Sequence, residues 1–238
     1  MNNLQIVIPM AGNGKRFKDA GYSISKPFIP IDGKPMIYHV VKSLNINAEY
    51  TFIVKKEDLE NINFDIYFDE LDIKYNVLPI NYMVGGSVIS VLSAQKYFNN
   101  DNPLIIVNSD QLVRWDSVDF LNLLKDNDGA IALFKASDAK WSYANIVNDK
   151  IVEVAEKIVI SDNATVGIYG WKSGKDFIKY ANEMIDKNIT TNNEFYNCPV
   201  YNQAILDNKI IKPFFVEKMI PLGTPEDLKA YLYENNIS

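Results

Sequence analysis

The chain opens on an apolar run, Leu4 to Pro9, that breaks into Met10-Ala11-Gly12-Asn13-Gly14-Lys15-Arg16-Phe17. A short stretch in which Gln5 is the one polar residue, running into a glycine turn, reads as a buried strand, and a strand buried on both faces belongs to a parallel sheet covered by helices. The loop then leaves the sheet at its carboxyl edge, where open α/β sheets bind ligands. Gly12 and Gly14 let the backbone take positive φ and approach an anion closely, while the N–H groups of the turn form an anion-binding concavity. Lys26-Pro27 follows ten residues after Arg16. Arg16 offers a flat fork suited to bidentate phosphate contact, and Lys26 a mobile point charge. Only Arg16 and Arg114 of the 24 basic residues are arginine, which sets position 16 apart. The segment reads as a triphosphate grip, with Met10, Ala11, Gly12, Asn13 and Gly14 as its backbone.

Two other glycine loops fail on spacing. A dinucleotide fingerprint needs a third glycine where Phe17 stands and an acidic residue after the second strand, where Lys55 and Lys56 stand. A P-loop needs four residues between its first glycine and Gly-Lys-Ser/Thr, and no segment fits. The formal charge of −6 and a pI near 4.9 argue against nucleic acid or an anionic membrane as partner. An anionic substrate must then meet a local cluster of cations, which the first 34 residues are expected to supply. Cys198 is the only cysteine, so neither an intrachain disulfide nor a cysteine-based zinc site is expected, and a reducing cytoplasm suits the chain. No apolar run approaches the ~20 residues of a membrane span, and Met1-Asn2-Asn3 leads straight into a strand, so neither membrane insertion nor a signal sequence is expected.

Strand-like runs at Leu4–Pro9, Thr51–Lys55, Ile73–Leu78, Leu104–Asn108 and Ala130–Lys135 alternate with helical patterns, which predicts an α/β fold with a mostly parallel mixed sheet flanked by helices. Pro35 suits the first turn of a helix running to Leu44, with Met36, Ile37, Val40 and Val41 inward. A second helix is expected from Gly86 to Phe98. After Trp141 shorter strands follow at Tyr143–Val147, Lys150–Val154 and Thr165–Trp171, then a helix at Lys175–Asp186, with no linker. The chain is therefore read as a single domain, 1–135 binding nucleotide and 136–238 an extension of the same sheet. Thr224 and Pro225 cap a final helix to Glu234.

Ala-Gly-x-Gly-x-Arg, then Lys-Pro, then Gly33-Lys34-Pro35-Met36-Ile37, resembles the nucleotidyltransferases that activate sugar 1-phosphates, and more narrowly their capsule-locus branch with a glycosyltransferase-A-like, Rossmann-like fold. The resemblance extends through Asn108-Ser109-Asp110-Gln111, Glu153-Val154-Ala155-Glu156-Lys157, Ala164 to Tyr169, Asn193-Glu194-Phe195-Tyr196 and Gly223-Thr224-Pro225. It implies Arg16, Lys26 and Lys157 as catalytic cations, with Lys157 on the acceptor's phosphate. Asp110 would hold Mg²⁺ against the nucleotide. Gly85, Gly86, Ser87 and Ser109 would join the nucleotide site, although helix capping by Ser87 explains that residue nearly as well. Tyr143, Glu156, Gly167, Asn193, Glu194 and Tyr196 would line the acceptor pocket in the C-terminal half. The family's second metal aspartate, two residues before the glycine of Gly-Thr-Pro, is Pro221 here, leaving Glu217, Glu194 and Asp227 as candidates. The proline usual after the lysine is Ile158. His39 lies within an apolar helix face, and Cys198 has no evident base partner.

A phosphate monoester is already an anionic nucleophile, so no strong base or covalent intermediate is needed, in keeping with a sequence that offers no Ser-His-Asp or Cys-His constellation. The expected partners are a nucleoside triphosphate and a small phosphorylated acceptor. A cytidylyltransferase for a phosphorylated amino acid, choline or polyol stays open, as do a glycosyltransferase of the same fold, despite the absence of Asp-x-Asp, and a catalytically dead nucleotide-binding module. The base, the acceptor and the oligomeric state, a homo-oligomer included, are left open by the sequence.

Overall fold

A computed structural model of the chain describes residues 3–60, 62–81 and 85–237; Met1 and Asn2 of the expected N-terminal entry lie outside the described residues. Along β1 (Gln5–Pro9), Ile6 and Ile8 face one apolar layer and Val7 the other, so the strand is covered on both sides, as its apolar run implied. It pairs in parallel with β2 (Glu49–Lys55) and β4 (Leu104–Val107), and β2 pairs in parallel with β3 (Lys74–Ile80). This parallel sheet carries helices on both faces, with α2 (Met36–Leu44) in the layer of Ile6 and Ile8 and α3 (Ser87–Ser93) in that of Val7.

The second half extends the same sheet. β5 (Gln111–Arg114) peels away, α4 (Ser117–Asp126) follows, and β6 (Gly129–Lys135), β7 (Ser142–Val147), β8 (Lys150–Glu156) and β9 (Asn163–Trp171) rejoin. β9 runs antiparallel to β4, β6 and β7, and so joins the halves without a linker. The nine-stranded sheet reads β8-β7-β9-β4-β1-β2-β3, with β6 on β9 and β10 (Ile211–Phe215) parallel to β6. It is one α/β domain with a mixed sheet flanked by helices, as expected. Helices α5 (Gly174–Asp186) and α6 (Val200–Leu206) cover the extension. β11 (Lys218–Pro221) pairs with β5 and leads into α7 (Pro225–Glu234), whose Thr224 and Asp227 form a reciprocal capping box. Among the described residues no helix is long and apolar enough to cross a membrane.

Two local expectations change. Pro35 is extended (φ −66°, ψ 151°) and precedes α2, because it pairs with Pro30 across the Asp32-Gly33 turn. The helix expected to Phe98 breaks at Ala94, and Gln95–Phe98 forms a separate turn.

Candidate active site

The register places the site. Gln5 lies opposite Leu104 on parallel strands, so the loop after β1 and the segment after β4 emerge side by side at the carboxyl edge. Gly14 takes the left-handed conformation (φ 57°), and its carbonyl accepts from Phe17 N and Lys18 N to start α1 (Lys15–Asp19). Phe17 is 1% exposed and meets Tyr22 edge-on at 5.2 Å. The residue that displaced a dinucleotide glycine is thus the anchor that holds the loop on the core.

A cavity of about 450 Å³ runs along this loop, lined by Ala11 to Arg16, Lys26, Gly86, Ser87 and Glu194. A second, of about 550 Å³, is lined by Asp110, Glu156, Lys157, Tyr196, Asn197 and Thr224 among others. Arg16, Ser87 and Gly223 line both. Arg16 is exposed and, among the described residues, its side chain makes no hydrogen bond or ion pair. Lys26 Nζ donates to Asp110 Oδ2 at 2.5 Å, so the second cation of the expected grip and the expected metal carboxylate meet.

The cation cluster is smaller than expected. Lys34 reaches Glu70 at 2.5 Å and lies over Tyr38, outside both cavities. Met10 is buried, its N–H on Ile53 O, and Ser109 is also buried; neither lines either of these two cavities. Gly85 lies behind the lining, its carbonyl accepting from Phe195 N at 2.8 Å, while Val88 N donates to Phe195 O at 3.0 Å. The Gly85-Gly86-Ser87 segment is therefore clipped to the Asn193-Glu194-Phe195-Tyr196 segment. A Cβ on Gly86 (φ 100°) would fall 2.5 Å from Phe195 O, so backbone apposition explains this glycine. Gly86→Ala is expected to destabilise the protein by about 1–3 kcal/mol, read from the denaturant midpoint. Ser87 is the first residue of α3, the cap position is Gly86, and among the described residues no side-chain cap bond is made, which corrects the capping alternative.

At the second cavity, Lys157 takes a left-handed backbone (φ 58°), with its N–H on Trp141 O. Its Nζ donates to Tyr196 Oη at 2.7 Å, and Tyr196 Oη donates to Glu194 Oε2 at 2.5 Å. This relay runs from the second cavity to a carboxylate of the first. Glu156 is buried and accepts from Ser142 Oγ. Burial pushes its carboxyl above the ordinary 4.5, against the pull of Ser142 and Lys157. A carboxyl raised by folding stabilises the fold while protonated, and that stability is lost as pH climbs from 4.5 through the raised value. The midpoint of Glu156→Gln should therefore gain on wild type as pH rises through this window, and a constant gap would contradict the burial account.

Gly167 (φ 88°) lies beneath the cavity floor, where an added Cβ would come 2.3 Å from Gln111 Oε1 and 2.4 Å from Asn108 Nδ2. The glycine is what lets those two amides reach the cavity. Four of the six expected acceptor residues do not line it: Gly167 lies behind it, Glu194 lines the first cavity, and Tyr143 and Asn193 are placed elsewhere. Tyr143 is fully buried, its hydroxyl on Asp138 O at 2.8 Å, and Asn193 is an exposed left-handed turn residue. Asn108, Gln111, Thr165, Tyr169 and Asn197 line the cavity without having been singled out. Cys198 also lines it, but burial holds its thiol well above the ordinary value, consistent with an inert sulfur. His39 is half-buried and bonds Ile31 O at 2.7 Å, which ties the Asp32-Gly33 hairpin to α2.

The donor set for a metal is one carboxylate. Leu222 N donates to Asp110 O and Pro221 pairs with Gln111, so the position of the second family aspartate adjoins Asp110 and carries a proline ring. Glu217 sits on the turn at the opposite end of the β5–β11 ribbon, Asp227 is committed to its capping box, and Glu194 holds Tyr196. Among the described residues no group of three or more His, Cys, Asp or Glu could hold a metal. One carboxylate beside Lys26 and the glycine loop fits Mg²⁺, which takes one or two protein carboxylates and draws its other ligands from phosphates and water.

A family model described as nucleotidyl transferase matches residues 6–200. The bifunctional protein GlmU of Methanococcus vannielii is 26% identical over 157 residues, 65% of this chain and 35% of its own. Its counterpart in Campylobacter fetus is 25% identical over 234 residues, 94% of this chain and 51% of its own. The chain thus spans about a third to a half of the length of these curated relatives. A nucleoside-diphosphate-sugar pyrophosphorylase from Vibrio cholerae superposes with a TM-score of 0.82 at 22% identity, covering 96% of this chain and 99% of that one. The inositol-1-phosphate CTP transferase of T. maritima gives 0.73 at 16% identity, covering 97% and 93%. At such identities the structures share the fold, and the family rests on the sequence match over residues 6–200. The chain belongs to the nucleotidyl transferase family of enzymes.

Proposed function

We propose that the protein transfers a nucleotidyl group from a nucleoside triphosphate to a phosphorylated acceptor, a sugar 1-phosphate, giving a nucleotide-activated precursor of surface (capsular) polysaccharide and pyrophosphate. The observation that carries this reading is the pair of adjoining cavities sharing Arg16, one with Lys26 and the other with Lys157. Two anionic substrates repel each other, and cations placed at and on either side of their junction neutralise both. The names of the relatives, a sugar-nucleotide pyrophosphorylase and a CTP transferase for a phosphorylated polyol, support the same class.

In this reading the loop from Ala11 to Gly14 cradles the triphosphate, with Arg16 and Lys26 on its charge. Lys157 leaves Tyr196 to hold the acceptor phosphate. An acceptor phosphate oxygen attacks the α-phosphorus; a new P–O bond forms as the bond to the bridging oxygen breaks, and that oxygen departs with pyrophosphate. Asp110 would hold a divalent cation, which supplies charge neutralisation at the phosphates when bound. A matrix of nucleoside triphosphates against phosphorylated acceptors should give acceptor-dependent pyrophosphate release in at least one cell. Release of nucleoside diphosphate from a sugar nucleotide would instead identify a glycosyltransferase. Lys157→Ala should raise the acceptor KM about tenfold or more while leaving triphosphate affinity within a few-fold by calorimetry. Equal loss of nucleotide binding would put Lys157 on the wrong substrate.

A further inference from the structure

Asn197 is 4% exposed and lines the acceptor-side cavity, yet neither its Oδ1 nor its Nδ2 has a hydrogen-bond partner among the described residues. Among the described residues it alone leaves two side-chain polar atoms buried in this way. The next asparagine on the segment shows the contrast, since Asn202 Nδ2 donates to Val154 O at 2.8 Å and its Oδ1 accepts from Val154 N at 2.9 Å. Buried amides are paired as a rule, and an unpaired one is destabilising. Gln111 Oε1, buried and equally unpartnered, lines the same cavity.

An amide presents a donor and an acceptor, the complement of a hydroxyl group; a trimethylammonium group can use neither. The cavity's aromatic rings point the same way. A box for a quaternary ammonium needs open ring faces. Here Lys157 Nζ lies 4.3 Å from the Tyr196 centroid and Lys140 Nζ 4.8 Å from that of Trp141. Both rings face an ammonium group in the free protein, and Lys157 stays in the cavity when it moves to the acceptor phosphate, so the two cations repel a third.

We propose that Asn197 is a specificity-determining residue, its amide hydrogen-bonding a hydroxyl of the acceptor and, with Gln111, selecting polyhydroxylated phosphates over quaternary-ammonium ones. This rests on the reading of the second cavity as the acceptor site. The side chain meets the substrate at its hydroxyl end, away from the phosphate held by Lys157.

The test uses the whole chain, with glucose 1-phosphate, glycerol 3-phosphate and phosphocholine as probes, bound alone by calorimetry and then turned over with each triphosphate. Wild type should bind a hydroxylated probe at least about tenfold more tightly than phosphocholine. Asn197→Leu should lower that affinity and the matching kcat/KM about 10- to 100-fold, leave triphosphate affinity within about threefold, and keep or raise Tm. Asn197→Ala should show the same split should leucine disturb packing. Unchanged acceptor affinity in both variants, preference for phosphocholine, or wild type that binds neither hydroxylated probe would overturn the proposal. Probe binding that is lost in Asn197→Leu without pyrophosphate release from any pair would sustain it and overturn the transferase reading instead.

Discussion

Arg16→Ala is expected to lower kcat/KM for pyrophosphate release at least about 100-fold, and Lys26→Ala by a similar factor, the scale of removing a charge partner from a transition state. The fold should be kept in Arg16→Ala, because the guanidinium is exposed and makes no hydrogen bond or ion pair among the described residues. Its place on both cavities means that the loss should fall on turnover and on both substrates. Lys26 differs in being tied to Asp110, so Lys26→Ala also frees a carboxylate. Unchanged pyrophosphate release by both folded variants would contradict the triphosphate grip.

The second large effect belongs to Asp110→Asn. The substitution removes a full negative charge with almost no change in volume, and it should abolish Mg²⁺-dependent turnover while the protein stays folded. Excess Mg²⁺ should restore little. With Pro221 beside Asp110 and one carboxylate in place, nucleotide-free wild type should hold Mn²⁺ weakly, as read by electron paramagnetic resonance, and triphosphate should strengthen binding. Full turnover in chelator, or tight metal binding that survives Asp110→Asn, would remove Asp110 from the metal.

The parts of the site legible in the sequence were those set by local spacing. Gly14 and Arg16 lie within one turn, and the strand before them was marked by an apolar run, so the loop and its cation could be read together; that Phe17 anchors the loop on the core could not. The capping box of Thr224 was equally local. What escaped was decided across strands. Whether Lys34 faced substrate or Glu70, and whether Tyr143 lined a pocket or filled the core, depended on partners far along the chain. Asn197 carries no motif; only the folded cavity shows that its amide is buried and unpaired. Gly86 was visible as a glycine, but its cause, the backbone of Phe195 pressed against it, lies 109 residues away.

The central claim is that the chain joins a triphosphate's α-phosphoryl to an acceptor phosphate. It is tested most directly by following radiolabel placed at the α-phosphate or at the γ-phosphate of the triphosphate used in turnover. Label from the α-phosphate should appear in the nucleotide–acceptor product and label from the γ-phosphate in pyrophosphate, both in wild type and neither in Arg16→Ala above trace. Transfer of γ-label to the acceptor, or retention of both labels in unreacted triphosphate across the whole acceptor panel, would contradict it.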